Sequence, residues 1–172
     1  MTTKDYITET FLEYPDNNSI ATIVYFRGCD RDCKGCHNTD LQDFVDLPDN
    51  YIQAIKDYCG RLKTNKIVLC GGDPLFSKNL AKTRELLAAL GTSYDICIYT
   101  GASIDEVKEL NLSGFKFVKC GIFDASQFIG ATKTDEFIRF ATKNQELYDE
   151  NLNLLSKDGV YYYDIRRDKE TA

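Results

Sequence analysis

Histidine is nearly absent: the 172-residue chain has one, His37, and it has no tryptophan. A mechanism that passes protons between several imidazoles is therefore excluded. Long apolar runs are missing as well. No stretch approaches the roughly 20 apolar residues of a membrane span, and Met1 to Tyr14 contains no apolar segment of the kind a secretion signal carries. Positive charge is in deficit, with 21 Lys and Arg against 27 Asp and Glu, a net charge of −6. That balance argues against a broad nucleic-acid-binding surface. There is no repeat, low-complexity tract or second-domain boundary. A hydrophobic content of 43% with 28% charged residues then describes one soluble globular domain over 1–172. Seven cysteines are an odd count and too sparse for a disulfide scaffold. A reducing cytoplasm, with the thiols serving a metal or redox site, is the expectation.

What is present is a regular alternation. Ser19 to Phe26 is β-branched and aromatic and reads as a buried strand. Asp49 to Lys63 carries Ile52, Ile55, Tyr58, Cys59 and Leu62 at helical spacing. Asn65 to Cys70 is a second strand, Ser77 to Leu90 a second helix stopped at Gly91, and Tyr94 to Thr100 a third strand. Ser103 and Glu106 form a capping box that opens a short helix to Leu110. Phe115 to Cys120 is a fourth strand. Beyond Phe123 the pattern weakens: Thr132 to Phe140 fits helix or strand, Asn144 to Leu155 reads as helix, and Gly159 to Ile165 as an edge strand. The order β-α-β-α-β-α-β predicts an α/β fold with a parallel sheet. In such folds the ends of the strands share one rim, where active sites form. The unusual residues all follow strands: three thiols after the first, Gly71-Gly72-Asp73-Pro74 after the second, Thr100-Gly101 after the third, and Lys119-Cys120-Gly121 at the end of the fourth.

The thiols are Cys29, Cys33 and Cys36, spaced C-x3-C-x2-C on one loop. A structural zinc or a closed iron–sulfur cluster takes four protein ligands. Three thiolates on a four-iron cluster leave one iron open, and an open metal position is where chemistry occurs. Zinc held by the three thiols and His37 is the rival. Cys36 and His37 are adjacent, so both reaching one small ion is awkward, and no second ligand pair follows at zinc-finger spacing. The basic residues Arg27, Arg31 and Lys34 read either as a solvated loop or as a landing site for the carboxylate of a cofactor. Gly71 and Gly72 let the backbone approach a ligand closely, and Asp73 can accept a hydrogen bond from a ligand ammonium. Cys59, Cys70, Cys97 and Cys120 read as small buried hydrophobes, and Tyr161, Tyr162 and Tyr163 as packing residues.

The cysteine loop together with Gly71-Gly72-Asp73-Pro74 resembles the radical S-adenosylmethionine (SAM) enzymes. Lys34-Gly35-Cys36-His37-Asn38, Gly71 to Leu75, Tyr99-Thr100-Gly101, Lys119-Cys120-Gly121 and Asn144-Gln145 are similar to the activases of glycyl-radical enzymes, specifically those of anaerobic ribonucleoside-triphosphate reductases. The resemblance covers about residues 19 to 148. It implies a shortened, open partial TIM-like barrel, with a [4Fe-4S] cluster on Cys29, Cys33 and Cys36. SAM would lie against His37, Asn38, Gly71, Gly72, Asp73, Pro74, Thr100, Gly101 and Lys119. It further implies an electron donor such as flavodoxin or ferredoxin, reductive cleavage of SAM to methionine and a 5′-deoxyadenosyl radical, and hydrogen abstraction from a glycine of the class III ribonucleotide reductase large subunit. No catalytic residue beyond the cluster ligands is implied. Gly35 stands where many radical SAM enzymes have an aromatic residue near the adenine, so that contact falls to another residue, with His37 a candidate. The segment Ser126 to Thr142 is longer than in compact relatives. Two other readings stay open at this point: a radical SAM enzyme acting on a small molecule such as a deazapurine precursor, and a non-catalytic zinc or iron–sulfur adaptor.

Overall fold

The computed structural model describes residues 5–17 and 19–163. Its frame is a six-stranded sheet in the order β1 (Ile7–Thr10), β2 (Ala21–Phe26), β3 (Lys66–Gly71), β4 (Asp95–Tyr99), β5 (Phe117–Cys120), β8 (Glu146–Asp149). β2, β3, β4 and β5 run parallel, and β1 and β8 pair antiparallel at the two edges. Three helices connect the parallel strands: α1 (Tyr51–Leu62), α2 (Leu80–Leu90) and α3 (Ile104–Glu109). β6 (Thr132–Lys133), β7 (Phe137–Arg139) and β9 (Val160–Tyr162) make a separate three-stranded antiparallel sheet.

The central strands are apolar on both faces because both faces are covered. Val24, Phe26, Ile67, Leu69, Ile96, Ile98 and Val118 point to the main core, where they meet Ile55 of α1, Leu86, Leu87 and Leu90 of α2, and Val107 of α3. Each such side chain, fully removed from water, contributes about 1.5–3 kcal/mol. The opposite face carries Ile23, Val68, Cys70 and Cys97 under Tyr14. Beside them Ile138, Phe140 and Leu147 pack against Tyr99, Phe117, Tyr161 and Tyr163. α3 opens on the expected capping box, with both reciprocal hydrogen bonds between Ser103 and Glu106 formed.

The four predicted strands and three helices are present, and the sheet is largely parallel. No closed barrel forms among the described residues. Residues 144–155, expected as a helix, instead supply β8, which pairs with β5 from Phe117↔Asp149 to Cys120↔Glu146. The physical reason is the partner. Leu147 and Tyr148 are buried on alternate faces, so pairing with the exposed edge of β5 buries both, whereas a helix would expose one. The ambiguous 132–140 region resolves to β6 and β7. Of the segment 159–165, β9 occupies Val160–Tyr162, and its last two residues lie outside the described part of the chain. Tyr161 and Tyr163 pack as expected, whereas Tyr162 is 66% exposed. No helix among the described residues is long and apolar enough to cross a membrane.

Candidate functional site

β2 delivers the chain into the cysteine loop at Gly28, whose φ of +104° no side chain adopts without strain. The loop is closed at its base by main-chain bonds from Gly28 N to Leu41 O (2.7 Å) and Cys29 N to Gln42 O (3.1 Å). Within it Cys36 N donates to Cys33 O at 3.1 Å. The main-chain N–H groups of Arg31 and Asn38 donate to the sulfurs of Cys29 and Cys36, each at 3.4 Å. All three thiols are free and partly exposed, while Cys59, Cys70, Cys97 and Cys120 are free and buried. Burial, together with the Asp73 and Asp30 charges, pushes the Cys29 thiol above its ordinary value against the opposing pull of the Arg31 N–H. Among the described residues no three His, Cys, Asp or Glu side chains are gathered closely enough to hold an ion. The donor chemistry nonetheless fits an iron–sulfur cluster: soft thiols on one short loop, with N–H groups already aimed at two of the sulfurs.

The second loop is built against the first. Asp73 N donates to Gly28 O at 2.9 Å and Gly72 N to Phe26 O at 2.8 Å. The Asn38 amide reaches Gly71 O at 3.0 Å. A Cβ on Gly72 would lie 2.4 Å from Gly28 O and 2.7 Å from Leu41 O, and one on Gly71 would lie 2.3 Å from Phe26 O. The space that these glycines leave is thus filled by the backbone of the cysteine loop. The expectation that a ligand uses that space for its own backbone contact is not what the packing displays.

Asp73 is 2% exposed and accepts four protein hydrogen bonds. Leu75 N and Thr100 Oγ1 each donate to Oδ1 at 2.8 Å, and Gly101 N (3.1 Å) and Arg31 Nε (3.3 Å) donate to Oδ2. Arg31 also pairs with Glu106 through Nη2 at 3.1 Å. Of the basic cluster Arg27, Arg31 and Lys34, Arg31 is thus already engaged by two carboxylates, and Arg27 donates to Asp40 O at 3.0 Å. Pro74 is buried, and its carbonyl accepts from Thr83 Oγ1 at 2.7 Å.

Two further residues were expected at the rim, one on β5 and one within the cysteine loop. Lys119 on β5 places its ammonium over the rings of Tyr99 (4.4 Å) and Phe140 (5.7 Å), and burial lowers it to about 8. His37 is exposed and meets Phe123 edge to face at 5.0 Å. Phe123 also lies 3.3 Å from where a Cβ on Gly35 would stand.

One organising residue was not foreseen. Asn79, 3% exposed, donates its amide to the carbonyls of Arg27, Gly28 and Asp73 at 3.1, 3.3 and 2.9 Å, joining both loops to the start of α2. The sequence signal was present: an Asn next to the first apolar residue of the helix is a terminus signal. It was hidden because the helix was expected to begin at Ser77 and begins instead at Leu80. A groove of about 1160 Å³ between β1 and α1 is lined by Ile7, Ala54, Tyr58 and Arg61 among others, and includes no rim residue.

A parallel α/β sheet whose strand ends gather a three-thiol loop and a glycine-rich loop defines a protein of the metal-cluster α/β class. The chain belongs to the 4Fe-4S single cluster domain family, whose profile matches residues 19–153. Curated relatives bear one name, anaerobic ribonucleoside-triphosphate reductase-activating protein. The chain is 28% identical to that of Vibrio cholerae serotype O1 over 96 residues, 50% of this chain and 61% of the relative. It is 24% identical to that of Escherichia coli K12 over 135 residues, 73% of this chain and 85% of the relative. It is 30% identical to that of Pasteurella multocida over 95 residues, 49% of this chain and 59% of the relative. The chain thus spans less than two thirds of two of these relatives and most of the third, and the resemblance read from the motifs agrees with all three.

Proposed function

We propose that this chain is a radical SAM activase that generates a glycyl radical on an anaerobic, class III ribonucleotide reductase. The observation that carries the reading is the fusion of the two loops: Asp73 N on Gly28 O, Asn38 on Gly71 O, and Asn79 across both. A loop that only clamped a structural metal would need no glycine-rich partner packed so closely that a Cβ on Gly72 would meet Gly28 O. Cys29, Cys33 and Cys36 would hold a [4Fe-4S] cluster. When bound, the cluster would supply one electron, drawn from a donor such as flavodoxin or ferredoxin, to cleave the SAM sulfonium.

The chain's own residues bind and orient. The Arg31 and Asn38 N–H groups stabilise charge on the Cys29 and Cys36 sulfurs. Asp73, fixed between Thr100 and Gly101, offers a carboxylate to the ligand's ammonium, and Lys119 offers a cation to its carboxylate. His37, braced by Phe123, is the candidate adenine contact, with Asn38, Gly71, Gly72 and Pro74 shaping the floor. The four parallel strands are read as a partial, open TIM-like barrel in a single domain over 1–172. Four parallel strands fall short of the eight that close such a barrel, so one side stays open for a loop of a larger protein. A cytoplasmic setting suits the seven free cysteines, which a reducing compartment keeps unpaired.

The test is anaerobic incubation with SAM, dithionite and the cognate reductase. A doublet glycyl-radical signal is expected in electron paramagnetic resonance, with deuterium from the labelled glycine recovered in 5′-deoxyadenosine. Label arriving only from a small nucleoside or amino acid would overturn the activase reading and leave a radical SAM enzyme of another substrate. A colourless zinc protein would overturn both.

A further inference from the structure

We infer that Arg31 is a latch: in the ligand-free protein its guanidinium holds the place on Asp73 that the ammonium of the cofactor takes, and it is released outward when that ammonium enters. The inference rests on the reading that SAM binds at this rim with its aminoacyl end toward Asp73.

A carboxylate has about four acceptor directions, and Asp73 has four protein donors. Three of them cannot leave without opening the loops that the carboxylate ties. Leu75 N and Gly101 N are main chain, and Thr100 Oγ1 sits on a short side chain, also holding Ala102 N at 3.0 Å. The fourth, Arg31 Nε, makes the longest of the four contacts at 3.3 Å and comes on a long stem that is 27% exposed. A fifth donor therefore enters only by replacing Arg31.

The surroundings suit such an exchange. Glu106, 51% exposed, holds Nη2 of Arg31 at 3.1 Å and gives the guanidinium an anchor on the solvent side. That carboxyl is kept below its ordinary value first by the N–H of Ser103 in the capping box and then by Arg31, so it stays charged. The arginine stem lies across Gly101, where a Cβ would stand 2.5 Å from Cδ of Arg31, so the absence of a side chain at 101 provides its channel. Exchanging one cation for another also leaves the buried Asp73 charge compensated throughout, which avoids the cost of an unpaired buried carboxylate. Arg31 lies two residues from both Cys29 and Cys33, so arrival of the ligand would be signalled directly to the cysteine loop.

The test is titration of SAM against the spectral change of the reconstituted, iron-loaded protein, with methylthioadenosine, which lacks the aminoacyl group, as the second probe. Arg31→Ala and Arg31→Gln should each bind SAM about three- to tenfold tighter, the scale of a part-exposed charge pair that no longer has to be broken. Methylthioadenosine affinity should be unchanged, and the ligand-free variants should melt lower. Arg31→Gln keeps most of the stem and serves if the alanine variant fails to hold iron. Weaker SAM binding in the variants would make Arg31 a direct contact of the cofactor and overturn the latch. Unchanged affinity with only a lower melting point would make the pair purely structural and overturn it equally. Absence of SAM binding by the unsubstituted, iron-loaded protein would instead remove the functional reading on which the latch stands.

Discussion

Three thiols of seven are expected to matter to iron, and exposure separates them. Cys29, Cys33 and Cys36 are partly exposed on one loop, whereas Cys59 and Cys97 are at most 1% exposed in the core. Changing any of the first three to Ala should lower iron from near four per chain and abolish SAM cleavage, because each is one of only three anchors. Cys59→Ala and Cys97→Ala should keep iron near wild type and lose about 1 kcal/mol or more of stability to a small cavity. Iron analysis of anaerobically reconstituted variants decides this. Lys119 makes a second residue-scale prediction, about pH. Its ammonium titrates near 8, and a contact with the SAM carboxylate needs the charged form. Affinity should therefore hold below pH 8 and fall as pH rises through it. The groups facing Lys119 are the Cys70, Cys97 and Cys120 thiols, pushed up to about 12 or beyond and so neutral across this window, and Asp73. The ligand's own α-amino group also titrates at about 8, so the slope is shared between it and the lysine, and Lys119→Met should bind SAM more weakly with a shallower slope. A pH-independent affinity in the unsubstituted protein would take Lys119 out of the site.

At the scale of elements, the decisive contact is between two loops. Gly72→Ala places a Cβ against the carbonyls of Gly28 and Leu41, which are backbone and cannot swing aside. The cysteine loop must shift, so this variant should lose iron as well as SAM affinity, while Gly60→Ala, with nothing within 4 Å in α1, should keep both and gain about 0.5–1 kcal/mol. Iron content, read beside the melting point, separates the two. Asp73→Asn turns one of two doubly accepting oxygens into a donor facing donors, which should cost about 1–3 kcal/mol by thermal melt.

These element-scale contacts also mark how far the sequence could be read. The βα alternation, the capping box at Ser103 and the meeting of strand-end loops were legible because each rests on local periodicity or a short motif. Residues 144–155 were not, because Leu147 and Tyr148 fit a helix until the free edge of β5 is known to lie beside them. β1 was missed for the same reason: Ile7–Thr10 has little local signal and becomes a strand by pairing with β2. The saturation of Asp73 was also out of reach, since its four donors come from residues 31, 75, 100 and 101.

For the whole molecule, the sheet's burial of titratable groups sets a limit on alkaline stability. Cys59, Cys70, Cys97 and Cys120 all have thiols raised above 9.0 by burial, Cys120 to about 12. Above pH 9 the unfolded chain loses these protons and the folded chain keeps them, so stability falls with rising pH by up to about 1.4 kcal/mol per unit for each thiol. Lys119 and Lys133 act in the other direction. Burial lowers both to about 8, so between 8 and 10.5 the folded chain gives up protons that the unfolded chain retains, and stability rises. Four thiols against two lysines leave a net loss, and Tyr25, raised by burial to about 12, adds to it above pH 10. The melting temperature of the ligand-free protein should therefore stay level or rise slightly from pH 8 to 9 and then fall steeply. Cys97→Ala, which removes one buried thiol without adding volume, should make that fall shallower. A melting temperature that kept rising through pH 10 would mean that the thiols ionise in place, and that the face of the sheet carrying Cys70 and Cys97 is open to water.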